Sequence, residues 1–354
     1  MRSFGIGESF IQWIHLLYSN ASAVLNVNGF LSKPIPFNRG VKQGCPLSSF
    51  LYVMVIEILA LQLRANPNIV GFRIGGEKIV SAHYMDDATI IIKQNRCFKE
   101  VIKDLAQYEE ASGAKVNYKK TKGLWVGSWK GRRCTPLDIE WTSGNVKNLG
   151  VYFGNDRPAS KTFEEIITNV NKRLNFWKQF KLSTIGRARV VEIFLASKLV
   201  YAIKFYVIPK EIEKKLRQDI FQFINHPRRV ATIAQKEMWR LKEKGGIKLV
   251  NVQTKSEVSK VKWLIDITID PSLNLSYSIF HELLGVQKGG IFGKDLIFLQ
   301  PSYMQRHLKT SSNFYKEALS AISKLDLSKG ISNVSQWDNE HLFYNKYFHA
   351  KDAN

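Results

Sequence analysis

Two adjacent aspartates, Asp86 and Asp87, are the residues of this chain best suited to metal-dependent chemistry. Carboxylate oxygens are hard ligands of the kind that Mg²⁺ prefers. Neighbouring side chains of a straight strand point to opposite faces, so the two carboxylates can converge on one ion cluster only where the backbone bends. An acidic pair in a turn is also common as a merely solvated feature. The surrounding elements must decide between these two interpretations.

The sequence around the acidic pair predicts two successive β-hairpins. Residues 70–74 and 77–82 flank a Gly-Gly turn, which predicts the first hairpin. Residues 88–92 then predict the outgoing partner of the second strand, so that Tyr84-Met85-Asp86-Asp87 falls in the turn between two strands. The backbone bend that the acidic pair requires is therefore expected at the pair itself.

Apolar residues at helical spacing predict the helices that support these strands. A helix through Phe10 and Ile14 precedes an Asn28-Gly29 hairpin turn, and Ser48 is expected to cap a long helix running to about Arg64. The remaining predicted elements are a helix over residues 98–108 with a stop at Gly113, short strands at residues 124–126 and 149–153, and a helix carrying the apolar stripe Phe163, Ile166, Ile167, Val170, Leu174 and Trp177.

The composition points to a polyanionic partner. The 354 residues include 52 Lys and Arg against 30 Asp and Glu, a formal net charge of +22, and nucleic acid is the first candidate partner. The longest apolar stretch, residues 50–63, is interrupted by Glu57 and is short for a membrane span, so no membrane partner is expected. Cys45, Cys97 and Cys134 are odd in number and far apart, which favours a reducing, intracellular location in the cytoplasm or nucleus.

Several motifs occur in a fixed order around the acidic pair. Residues 39–48 read Arg-Gly-Val-Lys-Gln-Gly-Cys-Pro-Leu-Ser before it, and residues 113–121 read Gly-Ala-Lys-Val-Asn-Tyr-Lys-Lys-Thr after it, followed by Leu149-Gly150-Val151. This ordered set resembles the reverse transcriptase domain of LINE-type, non-LTR retrotransposons. The resemblance implies an RNA-directed DNA polymerase that uses an RNA template, a DNA primer and deoxynucleoside triphosphates.

The resemblance also implies a fold of the α+β class. It predicts a partial polymerase palm over residues 1–157, built from an antiparallel sheet with packed helices. An all-helical, thumb-like domain over residues 158–244 and a C-terminal helical region of unassigned role over residues 245–354 are expected to follow, with a boundary near Pro158.

The resemblance assigns catalysis to three residues. Asp86 would be a direct ligand and Asp87 a weaker second ligand of two Mg²⁺ ions, with Mn²⁺ as a substitute. Lys120 falls on the position of a lysine that approaches the triphosphate and can protonate the leaving pyrophosphate. Without the resemblance, an equally good interpretation is that Lys120 belongs to an ordinary basic surface together with Lys119 and Lys122.

The resemblance assigns substrate contacts to the Gln-Gly loop and to the tyrosine of the acidic turn. Gln43 and Gly44 would touch the incoming nucleotide and the template, with Arg39 nearby, and Tyr84 would pack beside the primer end. A loop that only sets a helix start and a buried hairpin tyrosine are the structural alternatives. His83 is given no role.

Basic residues downstream are expected to lie along the backbone of a template and primer duplex. A face of merely solvated charges is the alternative, and the net charge of +22 favours phosphate contact. The expected nucleic-acid-binding residues are Lys172, Arg173, Lys178, Arg187 and Arg189.

No aspartate precedes Asp86, and only Glu8, Glu57 and Glu77 are acidic before it. The resemblance implies a further catalytic aspartate and a fingers region upstream, so the chain is expected to be N-terminally truncated and to show no nucleotide incorporation by itself. The alternative function is a non-catalytic remnant, or a repurposed protein, that binds nucleic acid.

Overall fold

The computed structural model describes residues 1–36, 40–42, 44–74, 76–227, 233–240, 242–249, 251–269, 274–284 and 312–324. The chain divides into two compact units, Met1–Thr121 and Lys122–Asn354. This division falls earlier than the boundary near Pro158 that the sequence predicts. The difference arises from four strands that follow Thr121 and are grouped with the helices of the second unit.

The described part of the first unit combines three α-helices with antiparallel strand pairs, after a short 3-10 helix (Arg2–Phe4). Strands β1 and β4, β2 and β3, β5 and β6, and β7 and β8 each form a two-stranded antiparallel sheet. The elements in chain order are α1 (Glu8–Tyr18), β1 (Ser22–Ala23), β2 (Asn26–Val27), β3 (Phe30–Leu31), β4 (Ile35–Pro36), α2 (Pro46–Ala65), β5 (Phe72–Ile74), β6 (Glu77–Ile79), β7 (Ser81–Tyr84), β8 (Asp87–Ile90) and α3 (Cys97–Ser112).

The hairpin predicted at Asn28-Gly29 is confirmed as the turn between β2 and β3. Both turn residues have positive φ, 52° for Asn28 and 90° for Gly29. This conformation is the one that matches the twist of two antiparallel strands, and Asn-Gly adopts it readily. The side-chain oxygen of Asn26 also accepts a hydrogen bond from the Gly29 amide at 3.0 Å.

Helix α2 begins earlier than the sequence predicts. Pro46 occupies its first turn, where the fixed φ and the missing N–H of proline suit a helix start. The prediction that Ser48 caps this helix is therefore wrong, because the capping position is Cys45 and it makes no side-chain capping bond. Ser48 is buried instead, and its hydroxyl lies 2.6 Å from the Tyr18 hydroxyl, which joins the end of α1 to the start of α2.

One apolar core joins α2 and α3 to residues in and beside the strands β5 to β8. Its buried members are Leu59, Leu63, Ile69, Val80, Cys97 and Val101. The buried Asp104 of α3 accepts a hydrogen bond from the Asn66 amide at 2.9 Å, which fixes α3 against the end of α2. Helix α3 ends at Gly113, whose φ of 70° closes the helix as the sequence predicts.

Helix α2 is long and apolar. Among the described residues it is the helix whose length and composition would allow it to cross a membrane, and 28% of that stretch is buried inside the protein. Core helices of other proteins pass the same test, so length and composition alone do not make it a span. Its exposed large apolar side chains are Phe50, Val53, Val55, Ile58 and Leu61.

The second unit begins with four short strands that pack with its helices. Strands β9 (Lys122–Leu124) and β10 (Glu140–Thr142) pair in parallel, and β11 (Asn145–Asn148) pairs with β12 (Val151–Gly154) in antiparallel register. The amide of Tyr152 in β12 donates to the Thr162 hydroxyl at 3.0 Å, and the Tyr206 hydroxyl donates to the Tyr152 carbonyl at 2.6 Å. These bonds fasten β12 to the helical part of the unit.

Helices dominate the remainder of the second unit. The predicted stripe on the first of them is confirmed, since Phe163, Ile167, Val170 and Leu174 are buried in one core. A π-helical segment (Glu192–Ala196) links two of the helices. The helices are α4 (Pro158–Lys178), α5 (Thr184–Val191), α6 (Ser197–Ala202), α7 (Lys210–Asn225), α8 (Gln235–Trp239), α9 (Val252–Ile269), α10 (Asn274–Leu284) and α11 (Asn313–Ser323).

The expected mixture of helix and sheet is confirmed at the level of fold class. Across the described residues the strands form two-stranded sheets, and one of these pairs is parallel. The assignment of a palm and a thumb stays a prediction.

Candidate active site

The acidic pair lies in a tight turn between β7 and β8, as the sequence predicts. Tyr84 pairs with Asp87 across the hairpin, so Met85 and Asp86 form the turn. Met85 has a φ of 52°, a left-handed conformation that costs a non-glycine residue of the order of 1 kcal/mol. Asp86 thus lies in the turn and Asp87 begins β8, and both residues are exposed at this end of the hairpin.

The turn is attached to helix α2. The Tyr52 hydroxyl donates a hydrogen bond to the Met85 carbonyl at 3.1 Å. Burial raises the pKa of the Tyr52 hydroxyl above its ordinary value, with smaller contributions from Tyr108 and from the carboxylate of Asp86. Tyr52 therefore stays a neutral donor at neutral pH and lies within electrostatic reach of the acidic pair.

His83 precedes the turn on strand β7. One ring nitrogen, Nε2, lies 3.0 Å from the Ser81 hydroxyl, whereas Nδ1 is buried without a hydrogen-bond partner. Burial lowers the pKa of His83, and the charges of Glu57 and Arg64 act on it in opposite directions. The ring is therefore neutral at neutral pH.

The carboxylate oxygens of the turn are suitable ligands for Mg²⁺, but the number of protein ligands is small. Asp86 and Asp87 supply hard carboxylate oxygens that are open to solvent. The described residues contain no group of three or more His, Cys, Asp or Glu side chains placed to hold one metal ion. A Mg²⁺ ion at this turn would therefore take its other ligands from water and from substrate phosphates, a mode of binding that is usual for this ion.

The Gln-Gly loop is described only in part, because Arg39 and Gln43 lie outside the described residues. Gly44 has a φ of 84°, a conformation that favours glycine, and a Cβ there would meet no other atom. Two residues earlier, Lys42 donates to the Leu17 carbonyl at 2.5 Å, which connects the loop to the end of α1. The backbone at Gly44 is thus left open to a ligand.

Lys120 lies in a turn that follows α3. Its amide donates to the Asn117 carbonyl at 3.0 Å, and the Thr121 hydroxyl donates to the same carbonyl at 2.9 Å. The Lys120 side chain is exposed, and the hydrogen bonds and ion pairs of the described residues do not join it to Asp86 or Asp87. Its place beside the triphosphate stays a prediction.

Four of the five predicted nucleic-acid-binding residues lie at the surface of the second unit. Lys172 and Arg173 are exposed on α4, and the Arg173 guanidinium lies 5.3 Å from the centre of the Phe194 ring. Lys178 is half-buried at the end of the same helix. Arg189 is exposed on α5 and pairs with Glu192 at 2.6 Å.

The prediction that Arg187 contacts nucleic acid is wrong. Only 3% of its surface is exposed, and its guanidinium donates long hydrogen bonds, both 3.5 Å, to the carbonyls of Phe223 and Phe180. Burial lowers its pKa. An arginine enclosed in this way cannot lie along a phosphate backbone, so Arg187 is a structural residue that joins α5 to α7.

Sequence reasoning did not identify Tyr52. The sequence feature that could have indicated it is a tyrosine hydroxyl within the apolar run of α2, one helical turn after Ser48. Whether that hydroxyl faced the acidic turn depended on how α2 packs against the β7–β8 hairpin, which the spacing of residues in the sequence does not determine.

The first part of the chain is similar to a known class of enzymes. Residues 1–153 match the family model described as "Reverse transcriptase (RNA-dependent DNA polymerase)". This match and the relatives of the chain confirm the resemblance of its first part to the reverse transcriptase domain of LINE-type, non-LTR retrotransposons.

Two relatives show the extent of the similarity. The Transposon TX1 uncharacterized 149 kDa protein of Xenopus laevis is 28% identical over 362 residues, which cover 99% of this chain and 27% of that protein. The Retrovirus-related Pol polyprotein from type-1 retrotransposable element R2 of Popillia japonica is 25% identical over 217 residues, 58% of this chain and 30% of that protein. The chain thus spans under a third of the length of either relative.

Proposed function

We propose that this chain forms part of an RNA-directed DNA polymerase and supplies the acidic turn of its active site. The observation that carries the proposal is the two-residue turn that presents Asp86 and Asp87 together at the exposed end of the β7–β8 hairpin. The match of residues 1–153 to the reverse transcriptase family model supports it.

The reaction is the transfer of a nucleotide to a primer. The primer 3′-hydroxyl oxygen forms a bond to the α-phosphorus of a deoxynucleoside triphosphate, pyrophosphate leaves, and the hydroxyl proton is lost. Asp86, as the direct ligand, and Asp87, as the weaker one, would hold Mg²⁺, which when bound activates the hydroxyl and offsets the charge of the leaving group. Two carboxylates balance only part of the charge of two divalent ions, so substrate phosphates complete the site.

Other residues of the chain would position the substrates. Gln43 and the open backbone at Gly44 would contact the incoming nucleotide and the template, with Arg39 nearby, and Tyr84 would pack beside the primer end. Lys120 would offset the negative charge that develops on the phosphate oxygens and give a proton to pyrophosphate.

The basic face of α4 and α5 would bind the duplex of template and primer. Lys172, Arg173, Lys178 and Arg189 would contact phosphates, and the helices over residues 158–244 would serve as a thumb-like domain. Each phosphate contact contributes about −0.9 to the slope of log affinity against log salt for a duplex, so binding should be salt-dependent and insensitive to sequence.

A second candidate function is nucleic-acid binding without catalysis. The observation that favours it is that the described residues offer the acidic turn two carboxylates and no third ligand. Under this function the net charge of +22 and the basic face of α4 would still bind nucleic acid, and Asp86 would be dispensable.

Primer extension on an RNA template with Mg²⁺ or Mn²⁺, together with mapping of the metal site, distinguishes the two functions. We expect template and primer to bind, the metal to locate at the acidic turn, and no nucleotide to be incorporated by this chain alone. Binding without any metal at the turn would favour the non-catalytic function. Incorporation that Asp86→Ala abolishes would exclude it and would show that two carboxylates are enough.

A further inference from the structure

A short basic loop, residues 126–133, lies on a cluster of three tryptophans in the second unit. The rings of Trp125 and Trp141 are stacked with their centres 4.2 Å apart and their planes 20° from parallel. Trp129 of the loop packs against Trp125 with ring centres 5.4 Å apart. Gly123 permits this packing, because a Cβ at that position would lie 2.3 Å from the Trp141 ring. The tryptophans therefore form a rigid base under the loop.

Hydrogen bonds fix the backbone of the loop. Within it, the Trp129 amide donates to the Val126 carbonyl and the Arg132 amide donates to the Trp129 carbonyl, each at 3.2 Å. The amide of Gly131, a residue with a φ of 84°, donates to the Ser143 hydroxyl at 2.9 Å. The side chains of the loop thus project from a defined backbone, which lowers the entropy cost of binding a ligand there.

The loop presents a stacked pair at its surface. The Arg132 guanidinium lies 4.0 Å from the centre of the Trp129 ring and 5.9 Å from that of Trp125. Arg132 is exposed, and Trp129 is half-buried beneath it. Aromatic rings and guanidinium planes are the surfaces on which unpaired bases stack in proteins that bind single-stranded nucleic acid.

The charge of the loop suits a polyanion. Residues 122–133 contain Lys122, Lys130, Arg132 and Arg133 and no acidic residue. Lys130 pairs with Asp156 at 3.2 Å and Lys122 with Glu140 at 2.8 Å, so two of these charges are partly balanced by neighbours. Arg132 and Arg133 are both exposed.

We propose that the loop over residues 126–133 binds single-stranded nucleic acid, with a base stacked on the Arg132–Trp129 pair and phosphates held by Lys130 and Arg133. The site deepens the proposed function, because a polymerase must also hold template that is not yet paired. None of the motifs that carry the family resemblance includes this loop. An acidic protein would satisfy the charges but would make no use of the stacked pair.

Binding of labelled single-stranded RNA, measured by fluorescence anisotropy over a range of salt concentrations, tests the site. The loop variant is Lys130→Gln with Arg132→Gln and Arg133→Gln. The matched control carries the same loss of three charges on the exposed lysines of α7, Lys210, Lys214 and Lys215. We expect at least a tenfold loss of affinity for the loop variant and less than a threefold loss for the control. The salt slope should fall by about 1.4, at about 0.7 for each of the two phosphates that Lys130 and Arg133 hold on a single strand.

Two further variants separate stacking from charge. Arg132→Lys keeps the charge but removes the planar group, so affinity should fall several-fold while the salt slope is unchanged. Trp129→Phe should remove most of the quenching of tryptophan fluorescence that the RNA produces. Unfolding midpoints measured in parallel identify any variant that loses affinity because it is misfolded.

The remaining outcomes overturn the proposal in distinguishable ways. Equal losses in the loop variant and in the α7 control would overturn the loop site and leave the proposed function intact. Competition by polyaspartate as strong as by single-stranded RNA would assign the loop to an acidic partner instead. Failure of the unaltered chain to bind any nucleic acid would overturn both proposals. None of these outcomes depends on nucleotide incorporation.

Discussion

The hydroxyl of Tyr52 donates a hydrogen bond to the backbone carbonyl of Met85 at 3.1 Å and so joins helix α2 to the acidic turn. Met85 holds a φ of 52°, which a methionine does not adopt without cost, and the hydrogen bond to its carbonyl helps to keep the turn in this conformation. The position of the two carboxylates thus depends on a residue outside the turn.

Replacing Tyr52 by phenylalanine should loosen the acidic turn. Loss of one hydrogen bond of this kind reduces the free energy of unfolding by about 1 kcal/mol. Amide hydrogen exchange at Asp86 and Asp87 should become faster, because the turn loses its attachment to α2. Tyr118→Phe, which alters an exposed tyrosine of the same unit, is the control and should change neither quantity. Unchanged exchange in Tyr52→Phe would mean that the strands alone hold the turn.

Arg187 should contribute to stability and not directly to nucleic-acid binding. Arg187→Ala leaves a cavity and two carbonyls without their donor, so the free energy of unfolding should fall by about 2 kcal/mol or more. Arg187→Met fills most of the space and should cost less, since apolar replacements of buried charges are often tolerated. Urea unfolding measures both variants. If folded Arg187→Met loses affinity for duplex as strongly as Lys172→Gln, Arg187 contacts phosphate after all.

Lys260 and Glu317 form a buried ion pair between α9 and α11. The Lys260 side chain is fully buried. Its Nζ lies 2.8 Å from Oε2 of Glu317 and donates to the Ser256 hydroxyl at 2.6 Å. Burial lowers the pKa of Lys260, and the hydrogen bond to Glu317 opposes this change. Glu317→Gln should therefore lower the free energy of unfolding by about 3 kcal/mol, because it leaves a buried charge without its partner.

Two comparisons test this account of the pair. Glu140→Gln removes the partner of Lys122 in an exposed pair of the same unit and should have little effect on stability. The double variant Lys260→Met with Glu317→Leu should recover most of the stability that Glu317→Gln loses. Equal stability of Glu317→Gln and the unaltered chain in urea unfolding would contradict the account.

The stability of the first unit should fall as the pH drops below about 6.5, the ordinary pKa of histidine. Burial lowers the pKa of His83, so the unfolded chain takes up a proton at a higher pH than the folded chain does. Stability is complete above the unfolded pKa and is lost as the pH falls from there through the lowered folded value. His83→Asn should reduce this pH dependence in urea unfolding at pH 7 and pH 5. An unaltered dependence would assign it to other groups.

Much of the local structure could be predicted from the sequence. The Asn28-Gly29 hairpin, the closure of α3 at Gly113 and the turn at Asp86 each depend on residues close together in the chain. The apolar stripe of α4 was predictable for the same reason, because a helix of that length shows a clear 3.6-residue period.

Features that depend on packing between distant residues were not predictable. Arg187 and Arg189 are two residues apart in the short helix α5, and contact with α7 decides that the first is buried and the second exposed. Ser48 has the chemistry of a cap, but Pro46 starts the helix before it. The Tyr52–Met85 hydrogen bond joins residues 33 positions apart, and a local sequence pattern cannot predict a contact over that separation.

The central claim is that Asp86 and Asp87 hold a divalent metal, and cleavage by bound iron tests it most directly. Fe²⁺ replaces Mg²⁺ in the presence of RNA template, primer and a deoxynucleoside triphosphate, and peroxide then cuts the backbone close to the ion. We predict cuts confined to the β7–β8 hairpin that disappear in Asp86→Asn with Asp87→Asn. Cuts that persist in this variant, or that never occur at the hairpin, would contradict the account.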